Sequence, residues 1–115
     1  MEFESYEDWI NKLKEEDRNP ETIILVEGKR DKEKLFKLGI RNVMDLKGRR
    51  YYDVLEDIAD HYNNAILLFD LDKHGERIFK KFKDMLEKEG VKTISSYREY
   101  LKNLTIEEVE DLPEV

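Results

Sequence analysis

The amino-acid sequence predicts an α/β protein with three layers, α/β/α, in which helices cover both faces of a mainly parallel four-stranded sheet. Two observations support this prediction. Short apolar runs rich in β-branched residues recur along the chain, which is typical of strands buried on both sides of a parallel sheet. The segments between them carry apolar residues at helical spacing, and strands that alternate with crossover helices give right-handed parallel connections.

The chain opens with a helix and then a strand. Ser5 followed by Asp8 resembles a capping box, and the helix extends to about residue 17, before Asn19-Pro20. Four apolar residues follow the cap at i, i+3, i+4 and i+7, namely Tyr6, Trp9, Ile10 and Leu13. Residues 22–26 are apolar or β-branched at every position and too few for a helix, so we predict a buried strand that ends at Glu27-Gly28.

Two further helices and a short strand follow. A helix is predicted over residues 31–38, with Gly39 as its C-terminal stop. Its inward side chains are predicted to be Leu35, Phe36 and Leu38. A short strand is predicted near 42–46. Residues 51–62 place apolar side chains on one face and acidic side chains on the other, which predicts the third helix of the chain.

The last strands flank a long amphipathic helix. Residues 65–69 form a fully apolar run that Asp70 stops. The helix is predicted over 76–89, with Gly90 at its end, and residues 91–95 supply the fourth strand. The inward side chains of this helix are predicted to be Ile78, Phe79, Phe82, Met85 and Leu86.

A chain of 115 residues has room for one domain, so we expect residues 1–115 to form a single unit. We divide it into an N-terminal helix (1–19), a core (21–95) and an acidic helical tail (96–115). The tail is predicted to contain a helix that starts at Thr105 with Glu108 completing a capping box. We expect a solvated tail, with contact to a protein partner as the alternative.

Composition excludes several classes of site. The sequence has no cysteine and two isolated histidines, which excludes disulfides, thiolate nucleophiles and cysteine-ligated metals and leaves oxygen as the ligand of any metal. No apolar run approaches the roughly 18 residues of a membrane span, and the acidic N-terminus does not resemble a signal peptide. We therefore expect a cytoplasmic protein without a membrane partner.

Charge is unevenly distributed along the chain. The net charge is −7, yet residues 29–50 carry nine basic residues against three acidic ones. The basic residues that we expect to contact phosphate or nucleic acid are Lys29, Arg30, Arg49, Arg50, Lys73 and Arg77. Such a local excess of positive charge favours a polyanionic partner, RNA or DNA, in spite of the acidic total.

Carboxylates follow two of the predicted strands. Glu27 comes directly after the first strand, and Asp70 and Asp72 follow the third. Because ligands of open parallel sheets bind beyond the carboxyl ends of the strands, these side chains are expected to meet at one edge. Two aspartates at i and i+2 of an extended segment point to the same side, and Mg²⁺ takes one or two carboxylates together with water and phosphate oxygens. We predict a magnesium site there, with Mn²⁺ as an alternative ion.

Glu27 and two glycines complete the predicted site. If the two strands are neighbours, repulsion from the aspartates raises the pKa of Glu27 toward the range useful for general acid–base catalysis. Gly28 would allow a sharp turn of the backbone, and Gly75 would allow a close approach to phosphate at the start of the next helix.

The segments VEGKRD (26–31) and FDLDKHG (69–75) resemble the motifs of the Toprim domain, which occurs in bacterial-type primases, type IA and type II topoisomerases, OLD-family nucleases and the ribonuclease that matures 5S ribosomal RNA. The resemblance covers roughly residues 21–95 and is greatest to small stand-alone archaeal Toprim proteins. It implies a Rossmann-like Toprim fold. Neither the tyrosine-bearing domain of the topoisomerases nor the zinc region of the primases is present in the sequence.

The resemblance also implies roles for single residues. In the family, the glutamate of the first motif is the general acid or base of phosphoryl transfer, which corresponds to Glu27. The aspartates of the later motif bind Mg²⁺, which corresponds to Asp70 and Asp72, and we include Glu27 among the candidate ligands. The remaining motif residues correspond to Gly28, Asp31 and Gly75.

The sequence supports a Mg²⁺-dependent protein that acts on nucleic-acid phosphodiesters, as a nuclease, an RNA-processing factor or a factor associated with DNA repair. A non-catalytic nucleic-acid-binding module of a larger complex is the alternative from another functional class. A haloacid-dehalogenase-like phosphatase, whose nucleophilic aspartate also follows an apolar strand, fits less well. That family normally has Gly-Thr or Gly-Val where this chain has Lys73-His74.

Overall fold

A computed structural model describes residues 2–114 and confirms the three-layer α/β architecture. Four strands form one sheet in the order β2-β1-β3-β4, and every neighbouring pair is parallel. The strands are β1 Thr22–Val26, β2 Val43–Asp45, β3 Asn64–Leu67 and β4 Lys92–Ile94. The helices are α1 Tyr6–Asp17, α2 Lys29–Lys37, α3 Tyr51–His61, α4 Lys73–Lys88 and α5 Ser96–Lys102, followed by a 3₁₀ turn at Val109–Asp111.

Each face of the sheet is covered by its own hydrophobic cluster. On one face, α1, α2, α5 and the C-terminal tail pack on alternate side chains of β1 and β3, with Trp9 buried at the centre. On the other face, α3 and α4 pack on the intervening side chains, with Phe82 buried among them. Burial on both sides explains why β1 is inaccessible to solvent at all five positions, as its sequence predicts.

Two helices begin earlier than periodicity predicts. α2 starts at Lys29 and not at residue 31, and α4 starts at Lys73 and not at residue 76. Gly28 and Asp72 are the respective N-caps, and the Asp72 side chain accepts a hydrogen bond from the backbone N–H of Gly75. The polar first turns carry no apolar periodicity, so only the caps mark the starts of these helices.

The strand and helix boundaries also differ at smaller points. β3 ends at Leu67, although Leu68 and Phe69 remain buried beyond it. Phe36, which was predicted to face inward, is 39% exposed on the outer side of α2. The prediction for Phe36 is therefore wrong, whereas Leu35 and Leu38 are buried as expected.

The C-terminal tail differs most from expectation. No helix starts at Thr105, which has a φ of 54°, in the left-handed region that a continuous helix excludes. The tail is not solvated either, because Val109 and Leu112 are each only 1% exposed and belong to the core cluster beside α2. The hydroxyl of Tyr6 donates a hydrogen bond to the carbonyl of Pro113 at 2.7 Å, which ties the tail to the first helix.

Within residues 2–114, the helices are all too short or too polar to cross a membrane.

Candidate metal and nucleic-acid site

The three predicted carboxylates meet at the carboxyl edge of the sheet. β1 and β3 are hydrogen-bonded neighbours, so the residues that follow them lie side by side. The backbone N–H of Asp70 donates to Oε1 of Glu27 at 3.2 Å, across 43 positions of sequence. The parallel pairing of two strands therefore brings Glu27 and Asp70 into direct contact.

Each of the three carboxylates is held to the chain through one oxygen. Besides the contact at Glu27 Oε1, Oδ1 of Asp70 accepts from the backbone N–H of Val109 at 2.9 Å, and Oδ1 of Asp72 accepts from Gly75 N–H at 2.7 Å. Over residues 2–114, neither these side chains nor Asp31 forms a salt bridge. These carboxylates thus have no ion-pair partner among residues 2–114.

Burial and this charge change the acidity of the site. The pKa of Glu27 is raised to about 7, first by desolvation and then by the nearby charge of Asp70. The pKa of Asp70 is raised to about 6, again mainly by desolvation, while the hydrogen bond from Val109 opposes the increase. The predicted increase at Glu27 is present, but burial contributes more to it than the predicted repulsion.

Gly75 has a packing role that the sequence did not predict, and its approach to phosphate stays a prediction. A Cβ atom at this position would lie 1.9 Å from the carbonyl oxygen of Asp70 and 2.8 Å from Oε1 of Glu27. The first turn of α4 can pack against the end of β3 only because residue 75 has no side chain.

Gly28 and Asp31 also differ from expectation in part. The chain bends at Glu27 and Gly28 as predicted, but Gly28 has a φ of −136°, an extended conformation open to any residue, so the bend does not require glycine. Asp31 is buried, and its Oδ2 accepts from the backbone N–H of Gly28 at 3.1 Å, which fixes the start of α2. Burial raises the pKa of the Asp31 carboxyl.

Arg98 supports the site. Its role was not predicted from the sequence. Its side chain is 1% exposed, and it donates to the carbonyl oxygens of Phe69 at 2.9 Å and Asp70 at 2.8 Å. It also pairs with Glu76 on α4 at 2.8 Å and lies over the ring of Phe79. The sequence gives no sign of this role, since one arginine in a short polar helix is normally exposed.

The C-terminal tail, which the sequence predicts to be solvated, brings acidic side chains close to the site. The backbone N–H of Leu71 donates to the carbonyl of Glu107 at 2.7 Å, which places the tail beside the site. Within residues 2–114, the one group of three carboxylates with oxygens within 4.8 Å of one another lies here, at Glu108, Glu110 and Asp111. The carboxylate oxygens of Glu27, Asp70 and Asp72 do not all lie within 4.8 Å of one another.

The predicted basic residues separate into two groups. Lys29, Arg30, Lys73 and Arg77 are exposed near the starts of α2 and α4 and form no salt bridge within the described chain. Arg49 and Arg50 instead pair with Asp57 and Asp53, at 3.1 and 3.2 Å, beside α3. The Arg49 and Arg50 side chains remain 36% and 88% exposed in these pairs, so their contact with nucleic acid stays a prediction.

The oxygen ligands present fit Mg²⁺. In each carboxylate one oxygen is fixed by a backbone N–H, and the other accepts no hydrogen bond from residues 2–114. Mg²⁺ takes one or two such oxygens and keeps several waters, so it does not require all three carboxylates within 4.8 Å of one another. The uncompensated charge favours a divalent cation.

Comparison with known proteins agrees with this chemistry. The family model described as the Toprim domain matches residues 22–107. Proteins named UPF0292 from Pyrococcus horikoshii and Pyrococcus abyssi are 34% and 35% identical to the chain over 113 residues, covering 96% of this chain and 83% of each relative.

Two solved structures resemble the fold. A protein from Aquifex aeolicus superimposes with a TM-score of 0.88 at 43% identity, covering 95% of this chain and 99% of the other. The Aquifex aeolicus primase, crystallised as its zinc-binding and RNA polymerase domains, matches with a TM-score of 0.57 at 26% identity, over 82% of this chain and 24% of the primase chain.

Proposed function

The chain belongs to the Toprim domain family, a family associated with Mg²⁺ binding and nucleic acids, and on this premise we propose that it is a Mg²⁺-dependent enzyme that cleaves nucleic-acid phosphodiesters. A nuclease or RNA-processing factor is the function that the site supports best. The observation that carries the proposal is the contact between Glu27 and Asp70 in a group of carboxylates without a salt bridge.

Asp70 and Asp72 are the residues that would hold the metal. Their second oxygens remain available, and the fixed first oxygens limit the rotation of both side chains. When bound, Mg²⁺ neutralises charge on a phosphate and orients it for in-line attack. Arg98 and the tail contribute indirectly, because they hold the backbone and the carboxylate of Asp70 in place.

Glu27 is the residue that would move a proton. Its Oε1 is occupied by the N–H of Asp70, so Oε2 is the atom that takes or gives the proton. A carboxyl with a pKa of about 7 exists in both protonation states near neutral pH. It can accept a proton from the attacking oxygen or donate one to the leaving oxygen.

Lys29, Arg30 and Lys73 would contact the phosphates on either side of the reacting group. All three lie in the first turns of α2 and α4, where the positive ends of the helix dipoles add to their charge. Because the carboxylate site itself repels a polyanion, these cations and the bound metal together make the approach of nucleic acid favourable.

The proposal is tested with wild-type protein and Glu27→Gln on labelled single- and double-stranded RNA and DNA, with Mg²⁺, with Mn²⁺ and with a chelator. We expect wild type to cleave at least one substrate, chelation to abolish cleavage, and Glu27→Gln to lower the rate by about 100-fold or more. Glu33→Gln is the matched control, because Glu33 is an exposed glutamate of α2, the helix that follows Glu27, and it should cleave like wild type.

The same assay addresses the non-catalytic alternative. If wild type and Glu27→Gln bind the same nucleic acid with equal affinity in Mg²⁺ and neither yields product, catalysis is rejected and a binding module is supported.

A further inference from the structure

An exposed aromatic ring lies between two cations on the outer side of α2. Phe36 is 39% exposed, with Nζ of Lys32 at 5.7 Å and Cζ of Arg41 at 5.7 Å from its ring centroid. Arg41 is also fixed by a hydrogen bond from its guanidinium to the carbonyl of Phe36, at 3.0 Å. A large apolar side chain is thus partly exposed beside two cationic side chains, while the acids nearby are engaged, Asp17 with the backbone N–H of Arg41 and Glu114 with Lys34 and Lys37.

This ring continues a line of residues that starts at the candidate site. Lys29, Lys32 and Phe36 are spaced i, i+3 and i+7 and therefore share one side of α2. The helix begins directly after Glu27-Gly28, so its first turn is adjacent to the carboxylates. At 1.5 Å per residue the line is about 10 Å long.

The line borders the free edge of the sheet. β2 has a single neighbour, β1, and its outer edge opens into a cavity of about 330 Å³. Lys32 and Arg49 both line this cavity, together with Asn42, Met44 and Tyr62. Asp45 is the acidic residue of the cavity, and its Oδ1 is occupied by the backbone N–H of Lys47.

The charged side chains around Phe36 indicate the kind of partner. Lys29 and Lys32 form no salt bridge within residues 2–114, and Glu33 is the exposed acid of the same helix. The other large exposed aromatic residue, Tyr52, lines a cavity with the acidic side chains Glu56, Asp60 and Glu89. The surroundings of Phe36 therefore suit a polyanion with flat apolar groups, and those of Tyr52 do not.

We propose that the α2 surface, formed by Lys29, Lys32, Phe36 and Arg41, binds single-stranded nucleic acid, with one base stacked on Phe36 and flanking phosphates on the three cations. The ring of a base and an aromatic side chain stack without sequence preference, and a duplex hides that face of its bases. The surface leads one strand toward Glu27. This inference rests on the proposed function and adds the form of the substrate and its direction of approach.

The test measures binding in the presence of Mg²⁺, by fluorescence polarisation of short labelled oligo(dT), oligo(U) and a duplex of equal length. All proteins carry Glu27→Gln so that no probe is consumed. The test variants are Phe36→Ala, Phe36→Leu and Lys32→Gln. The controls are Tyr52→Ala, which removes an exposed aromatic ring in acidic surroundings, and Lys92→Gln, which removes a charge from the opposite edge strand β4.

We expect both Phe36 variants to weaken binding of the single strands by about tenfold or more, since each stacked base contributes roughly 1–3 kcal/mol. Lys32→Gln should weaken binding and reduce the salt dependence by about 0.7 in the slope of log affinity against log salt concentration. The controls and duplex binding should stay unchanged.

Phe36→Leu retains an apolar side chain of similar size, so a loss shared with Phe36→Ala comes from stacking and not from folding. Equal losses with oligo(dT) and oligo(U) assign the contacts to the base ring and phosphate groups that the two strands share.

Two outcomes overturn the inference. If single strands bind but the Phe36 and Lys32 variants match Tyr52→Ala and Lys92→Gln, the surface proposal fails while the proposed function stands, and an acidic protein segment becomes the better occupant. If no oligonucleotide binds and the wild type cleaves none, both fail together.

Discussion

At the scale of single residues, the site depends on how close the first turn of α4 comes to the end of β3. Gly75 permits this approach, and Asp72 caps the same turn through its Oδ1. The result is that Glu27 is half-buried against Asp70 and has a pKa near neutrality. The chemistry of one glutamate is therefore determined by the absence of a side chain at a position 48 residues later in the sequence.

Gly75→Ala should destabilise the protein by about 1–3 kcal/mol or more, because its Cβ would overlap the backbone carbonyl of Asp70, which a rotamer change cannot relieve. Gly28→Ala is the control, since its Cβ would meet Asp31 at an ordinary 3.8 Å and should cost under about 1 kcal/mol. Urea denaturation followed by circular dichroism measures both. Equal effects at the two positions would contradict the packing role of Gly75.

At the scale of elements, the C-terminal tail is part of the site. It is anchored by Val109 and Leu112 in the core beside α2, and its backbone reaches Asp70. Its acidic side chains add negative charge near Asp31 and Asp70. The tail thus positions one candidate ligand and strengthens the attraction of the edge for cations.

Val109→Pro should lower the affinity for Mg²⁺ by roughly tenfold, the usual effect of losing a group that orients a metal ligand. The substitution removes the N–H that donates to Asp70. It should fit the backbone, because Glu108 is extended and Val109 opens a 3₁₀ turn, where proline is tolerated. Val109→Ala keeps the N–H and is the control for lost packing. Isothermal titration with Mg²⁺ compares them, and equal affinities in the two variants would contradict the role of the hydrogen bond.

At the scale of the whole molecule, charge and stability are coupled at one edge of the sheet. The folded chain gathers carboxylates from the ends of β1 and β3 and from the tail, groups that are well separated in the unfolded chain. Their mutual repulsion is a cost of folding that protonation or a bound cation reduces. The metal site is therefore expected to affect stability as well as activity.

In the absence of metal, the free energy of unfolding should fall as the pH rises from about 4.5 to about 7. The sign follows from Glu27, whose pKa of about 7 when folded exceeds its ordinary 4.5, so that the folded state binds more protons in this window. The raised pKa of Asp70 also lowers the free energy of unfolding as the pH rises, here between pH 3.8 and about pH 6.

Glu27→Gln isolates this effect, since the amide oxygen can still accept from Asp70 N–H and has no charge to titrate. Thermal unfolding with a chelator should show wild type losing stability relative to the variant as the pH passes through the window. Mg²⁺ at about 100 times its dissociation constant should add about 2.7 kcal/mol at neutral pH. Parallel pH profiles of the two proteins would contradict the coupling.

Several features of the molecule could be predicted from the sequence because they depend on local patterns. The apolar runs identified β1 and β3, and the alternation of strands and helices identified the parallel sheet. Once the sheet is parallel, residues that follow neighbouring strands share one edge, so Glu27 and Asp70 had to lie on the same side.

Only the tertiary structure decided what surrounds these residues. The burial of Arg98, the tail on Asp70 and the outward ring of Phe36 depend on contacts between distant segments, and such contacts leave no periodic trace in the sequence. The acidic composition of the tail predicted solvation, yet Val109 and Leu112 are buried in the core and hydrogen bonds from Tyr6, Leu71 and Val109 hold the tail in place. Sequence therefore determined which carboxylates form the candidate site, whereas packing determined their acidity and orientation, because desolvation and hydrogen bonding depend on every neighbour in space.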